Sequence, residues 1–269
     1  AYHLDIQNDQ IYIYDYYNST VKVINLSGNC IKTKSFGAYW QGAGIAVSNN
    51  YVYVSGWYHG FIRVLDKNLN QVNFHSGFNP YYGIKGIDVN SDGTKLVGAS
   101  SLNNVKVFNI SGSSLSLAQT FGSYGTGNSQ FKNPSDVSYD SSDNIYVADL
   151  YNHRLVKYNS SGVYQSKYGS WNYNSNPFRY PYGVGISSAD KIYVADFGQT
   201  SIQEFSTGLS YIGKIGVAKS RMSIAKEAIK RIVSDPQLKS GANFGLMEWG
   251  FYWGNYLRLR VPISANGAS

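Results

Sequence analysis

Disulfide chemistry is the first thing this chain lacks: of its 269 residues only Cys30 is a cysteine, so no internal bridge can staple it. Cys30 falls in a predicted strand, and the reading is a small buried hydrophobe. No apolar run reaches the roughly 18 to 20 residues that span a bilayer, and the polar opening AYHLDIQNDQ is not a signal peptide. These absences predict a soluble mature segment, or a piece of something longer. Charge is scarce at 14%, whereas 25 Tyr and 28 Gly are present. A surface hydrated by phenol, amide and hydroxyl groups predicts an extracellular or cell-surface location. Only four histidines occur (His3, His59, His75, His153), none spaced as a ligand pair, and no nucleophile motif is present.

The net charge of +7 is unevenly distributed. Residues 1–216 carry 15 Lys/Arg against 13 Asp/Glu, and residues 217–269 carry 8 against 3. The first segment has only Arg63, Arg154 and Arg179 as arginines. A phosphate-binding surface needs concentrated positive charge, so no nucleic-acid partner is expected for it.

What is present is a repeat. LDIQNDQIYIYD, IAVSNNYVYVSG, IDVNSDGTKLVGAS, DVSYDSSDNIYVAD and VGISSADKIYVAD align, and each is followed by a second alternating run and a short strand ending at Gly37, Gly77, Gly122, Gly169 or Gly216. The closing glycines are 40, 45, 47 and 47 residues apart. Each unit reads as four strands, a to d, whose second is apolar enough to be covered on both faces. One such sheet cannot bury itself; its neighbours must cover it. The prediction is an all-β propeller of five, at most six, four-stranded blades over residues 1–216, followed by a small C-terminal α/β segment over 217–269.

Residues 121–169, FGSYGTGNSQFKNPSDVSYDSSDNIYVADLYNHRLVKYNSSGVYQSKYG, carry a Phe-Gly blade end, Phe131 and Pro134 ahead of strand a, Tyr-Val-Ala-Asp, and Asn152-His153-Arg154-Leu155. This stretch resembles an NHL repeat. The resemblance implies a propeller and says little about function, because the family includes RNA-binding, protein-binding, lyase and adhesive members. Asp15, Asp149 and Asp196 recur just after strand b, as His59 and His153 recur four residues past the equivalent Ser55 and Asp149. Repetition at a turn predicts carboxylates that accept backbone N–H groups, a structural role.

The b–c and d–a loops of a propeller share its top face. They hold Tyr16, Tyr17, Trp57, Tyr58, Tyr151, Trp40, Tyr81, Tyr82, Trp171, Arg179 and Tyr180, the candidate binding residues. Aromatic loops offer apolar area with a polar tip and suit a protein, peptide or glycan partner. Phe131 and Phe178, with Pro134 and Pro181, are expected to pack between blades instead.

Past Gly216, SRMSIAKEAIKRIVSD reads as an amphipathic helix over about 220–234, followed by strands over about 242–249 and 256–263. The run AKEAIKRIV…GANFGLMEWG…VPISANGAS resembles part of the von Willebrand factor A domain of type IV pilus tip-associated adhesins. That family carries an Asp-x-Ser-x-Ser metal-ion-dependent adhesion site, and this sequence has no such motif, so no cofactor or metal is expected. Two arrangements fit this resemblance: the propeller inserted into an A domain, favoured because a helix and two strands are too small to bury a core alone, or a relic of an A domain packed on the propeller. Pilus or other surface-assembly subunits are the partners it implies.

Together these features predict an extracellular binding or adhesion module without catalytic residues. The alternative is a metal-assisted lyase or hydrolase with a site in the central channel; RNA binding ranks below both.

Overall fold

The computed structural model describes residues 3–37, 42–57, 60–77, 83–170, 177–215 and 240–244. Alternating and fully apolar runs form antiparallel strands as expected, in five four-stranded blades joined in chain order. Blade 1 is β1 (His3–Gln7), β2 (Gln10–Asp15), β3 (Thr20–Asn25) and β4 (Cys30–Ser35). Blade 2 is β5 (Gly42–Val47), β6 (Tyr51–Gly56), β7 (Ile62–Asp66) and β8 (Gln71–His75). Blade 3 is β9 (Ile84–Val89), β10 (Lys95–Ser100), β11 (Asn104–Ser111) and β12 (Ser114–Phe121). A small parallel pair, β13 (Ser123–Tyr124) with β14 (Gln130–Phe131), leads into blade 4: β15 (Pro134–Tyr139), β16 (Ile145–Asp149), β17 (Arg154–Tyr158) and β18 (Tyr164–Gly169). Blade 5 is β19 (Pro181–Ile186), β20 (Ile192–Asp196), β21 (Ser201–Phe205) and β22 (Tyr211–Ile215).

Apolar residues are shared between neighbouring blades, which explains why no unit can fold alone. Val97, Ala99, Val105 and Val107 of blade 3 pack with Val137, Ile145, Val147, Val156 and Tyr158 of blade 4, and Phe131 lies fully buried among them. Phe178 plays the same part between blades 4 and 5. Blades 1 and 2 share Tyr14, Val21, Val23, Ile45, Val52 and Leu65. Between blades 5 and 1 the cluster is smaller, with Leu4, Ile6 and Ile11 buried and Tyr193 against them.

The tail supplies a further strand at that junction. β23 (Ser240–Phe244) pairs antiparallel with β1, with Leu4 opposite Phe244 and Ile6 opposite Ala242, and lies against β19. Five blades leave the inner edge of β1 unpaired, and the tail covers it. The rest of the predicted strand over 242–249, the helix over 220–234 and the strand over 256–263 lie outside the described residues.

Cys30 corrects the sequence reading. It opens β4, the outermost strand of blade 1, and is exposed. A propeller covers its inner strands from both sides, but the fourth strand is the rim of the ring, where even Ile31 stays 44% exposed.

Candidate functional site

The five first strands line a narrow channel, because a ring of few blades closes tightly around its axis. Inward positions that would be apolar in an ordinary core are here polar or glycine. His3 and Asp5 come from β1, Lys85, Gly86 and Asp88 from β9, and Ser135, Asp136 and Ser138 from β15; all but Gly86 are buried polar side chains.

The channel carboxylates tie blade to blade. Asp5 Oδ2 accepts the Val47 N–H at 2.6 Å, Asp88 Oδ2 the Tyr139 N–H at 2.8 Å, and Asp136 Oδ2 the Val184 N–H at 3.0 Å. Each aspartate also accepts the N–H of the residue after it. Between blades 2 and 3 the Ser55 hydroxyl takes over, donating to the Lys85 carbonyl at 2.6 Å. These bonds satisfy backbone groups that strand ladders leave open at the axis.

One contact crosses the channel. His3 Nε2 meets Asp136 Oδ1 at 3.3 Å, and its Nδ1 lies 3.0 Å from the Ile45 carbonyl. Burial works to lower the His3 pKa, but the Asp136 charge and hydrogen bond outweigh it and the net shift is upward. Burial, with the neighbouring Asp88 charge, pushes Asp5 well above the carboxylate range, and burial raises Asp88 to about 7 against three hydrogen bonds that favour its ionised form.

A sign follows for stability. His3, Asp5 and Asp88 all have folded-state pKa values above their unfolded ones, so the folded protein holds extra protons and loses stability as pH rises through that window. Urea midpoints are expected to fall between about pH 4 and about pH 7, and Asp88→Asn to flatten the slope. A stability that climbs across this range in the wild type contradicts the assignment.

His3, Ala43, Trp57, Lys85, Gly86, Ser135, Asp136 and Tyr182 surround a cavity of about 10 Å³ at the mouth of the channel. That is room for about one water. Among the described residues no group of three His, Cys, Asp or Glu is placed to hold a metal ion.

Three of the predicted loop residues, Tyr151, Arg179 and Tyr180, meet on blades 4 and 5. Tyr151, 49% exposed, meets Tyr180 edge-on with ring centroids 6.3 Å apart, and Tyr180 packs on the His153 ring at 4.9 Å. Arg179 is exposed beside them, and the neighbouring Phe197 is 39% exposed with its N–H donating to the Tyr180 carbonyl. Blades 4 and 5 thus bring Tyr151, Arg179, Tyr180 and Phe197 together. On blade 1 Tyr16 and Tyr17 form a separate edge-to-face pair at 5.4 Å, with Tyr16 packed on the blade 1–2 core. Trp57 belongs to the channel cavity. Trp40, Tyr58, Tyr81, Tyr82 and Trp171 lie outside the described residues.

Two of the three repeated aspartates, Asp149 and Asp196, tie down the loops here, while Asp15 closes its own turn through Asn18. Asp149 accepts the Lys132 N–H at 2.8 Å and binds Arg154 Nε at 2.8 Å, while the Arg154 guanidinium donates to the carbonyls of Thr126, Gly127 and Gln130. Asp196 accepts the N–H groups of Arg179, Tyr180, Gly198 and Gln199. Each carboxylate reaches back to the d–a loop ahead of its blade as well as closing its own turn. Sequence reasoning missed the channel residues. The available signal was polar residues and glycine recurring within strand a of the units, as in His3 and Asp5, Gly86 and Asp88, and Asp136 and Ser138.

Among the described residues no helix is long and apolar enough to cross a membrane. No curated protein matches the chain by sequence. Its fold is similar to virginiamycin B lyase from Staphylococcus aureus, at 12% identity and TM-score 0.62, over 82% of this chain and 71% of that one. It is also similar to a streptogramin B lyase at 12% identity and TM-score 0.61, over 82% and 70%. A protein from Bacteroides thetaiotaomicron is similar at 17% identity and TM-score 0.59, over 80% of this chain and 57% of that one. The NHL repeat family model matches residues 131–158, from Phe131 to the end of β17. The chain is a five-bladed β-propeller, and its match to the NHL repeat model falls in the fourth blade.

Proposed function

We propose that this propeller is an extracellular binding module that takes a protein, peptide or glycan partner on the aromatic rim of blades 4 and 5. The observation that carries the reading is the exposed Tyr151 meeting Tyr180 edge-on beside Arg179 and Phe197, with Asp196 accepting the Arg179 and Tyr180 N–H groups and the Tyr151 N–H donating to the carbonyl of Lys132, whose own N–H Asp149 accepts. Large planar side chains with few rotors lose little entropy on contact, and a prepositioned cluster lowers the ordering cost further. The channel carboxylates are engaged by backbone groups and by His3, whereas Tyr151, Arg179 and Phe197 are exposed. Attachment of the tail to a larger pilus-type surface assembly belongs to the same proposal.

The whole chain is to be screened on a glycan array and a peptide library. For the ligand found, Tyr151→Ala and Arg179→Ala should each weaken binding by about tenfold or more, the scale of interface hot spots. Binding unaffected by both, with the fold intact, would move the site elsewhere.

The buried His3–Asp136 pair favours one second reading, an enzyme acting at the channel mouth. A catalytically inactive histidine-to-alanine variant of the Staphylococcus aureus lyase has been solved with quinupristin. Quinupristin is therefore a suitable probe: turnover that disappears in His3→Ala would replace the binding reading with this one.

A further inference from the structure

We propose that the cavity at the channel mouth is a carboxylate-binding subsite, in which Lys85 receives an acidic group carried by the partner. This rests on the reading of the top face as a binding surface. Lys85 projects from β9 and is only 6% exposed. Its ammonium donates to the Asn133 side-chain carbonyl oxygen and to the Pro134 carbonyl at 3.3 Å, and it lies 5.9 Å from the Trp57 ring centroid. All three neighbours are uncharged. Among the described residues no carboxylate lies within ion-pair distance of Lys85. Asp136 lines the same cavity, but its oxygens are engaged by His3, Val137 and Val184.

An ammonium has three N–H donors, and a buried charge without a counter-ion is costly. Burial accordingly pushes the Lys85 pKa down to about 8. A neutral hydroxyl entering the cavity adds one hydrogen bond and leaves the charge uncompensated; a carboxylate supplies both bond and counter-charge. The cavity takes one ligand oxygen. Trp57 and Tyr182 also line it, so aromatic surface adjoins the site where the remainder of the acid must lie. His3 from β1, Asp136 from β15 and Tyr182 from β19 are the titratable groups that face Lys85 there, and the His3 and Asp136 charges are directed at each other.

A bound carboxylate favours charged Lys85, so above about pH 8 binding takes up a proton and affinity drops about tenfold per pH unit. The test is an NMR titration of the full chain with acetate, using acetamide as the neutral isostere and following the Gly86 amide and the Trp57 indole. Expected are a saturable acetate shift, about tenfold weaker binding at about pH 9 than at about pH 7, and little response to acetamide. Lys85→Gln should abolish the shift, while Lys167→Gln, at an exposed lysine of β18, should leave it unchanged. Glucuronate and N-acetylglycine distinguish a sugar acid from a peptide terminus as the source of the group. Equal response to acetamide, affinity independent of pH, or retention in Lys85→Gln overturns the subsite. Should Lys85→Gln fail to fold, the wild-type comparison of acetate with acetamide at the two pH values decides. Tyr151→Ala separates the two readings: partner binding lost there with the acetate shift intact concerns the rim alone, and an absent acetate shift with rim-dependent partner binding sinks only the subsite.

Discussion

Gly86→Ala is expected to destabilise the protein by about 3 kcal/mol, the upper end of the range for forcing an added methyl group into a packed interior. A Cβ built on Gly86 would stand 1.7 Å from Asp136 Oδ1 and 2.7 Å from Asp136 Cα. The carboxylate cannot swing aside without cost, since it holds His3 across the channel and the Val184 N–H of the next blade. Because the Asp136 backbone is also too close, blade 4 itself must move outward. Gly213→Ala is the matched control: it lies in β22 on the outer rim, and nothing stands within 4 Å of its would-be Cβ. Urea unfolding of the two variants should separate them clearly. A loss below about 1 kcal/mol for Gly86→Ala would mean that the channel is not packed as described.

The second large effect is expected at Asp149. Asp149→Ala should cost about 3 to 5 kcal/mol, because it strands the Arg154 guanidinium, 2% exposed, without a counter-charge. Three loop carbonyls would still accept from Arg154, but they carry no net charge. The double variant Asp149→Ala with Arg154→Leu should lose less than the sum of the single changes, since the uncompensated charge is then gone. Hydrogen exchange supplies a local readout: the Lys132 amide donates to Asp149 and should exchange much faster in the single variant. Additive losses, or an unchanged Lys132 amide, would show that the carboxylate does not organise the loop between blades 3 and 4.

Much of this architecture is legible in the sequence because each blade solves the same problem. A four-stranded sheet with two apolar faces needs the same spacing of apolar residues and turns each time, so the period survives even where identity does not. Phe131 and Phe178 are readable as inter-blade wedges from their repeated place ahead of strand a, and both are buried. Asp149 and Asp196 are readable as turn carboxylates for the same reason, although their reach into the preceding d–a loop is not. Cys30 misleads because the alternation of a fourth strand resembles that of an inner one, while only the ring decides which strand faces solvent.

The candidate site divides along the same line. Tyr151, Arg179 and Tyr180 could be listed as top-face residues from loop position alone, but their assembly with Phe197 into one patch depends on how blades 4 and 5 abut. The pairing across the channel was beyond reach: His3 and Asp136 are 133 residues apart and belong to blades that are not neighbours. No local pattern records a contact across an axis, because it arises only when the ring closes.

By itself, then, the sequence determined the repeat and the blade, since these depend on periodicity and on residue chemistry within about 50 residues. Only the tertiary structure decided what meets at the axis. There the carboxylates of one blade bind the backbone of the next, β23 covers the open edge of β1, and Lys85 is enclosed with no carboxylate of the described residues at ion-pair distance. The reason is geometric: closing a ring brings its five first strands together whatever their distance in the chain, and the polar groups they carry must then satisfy one another or a ligand.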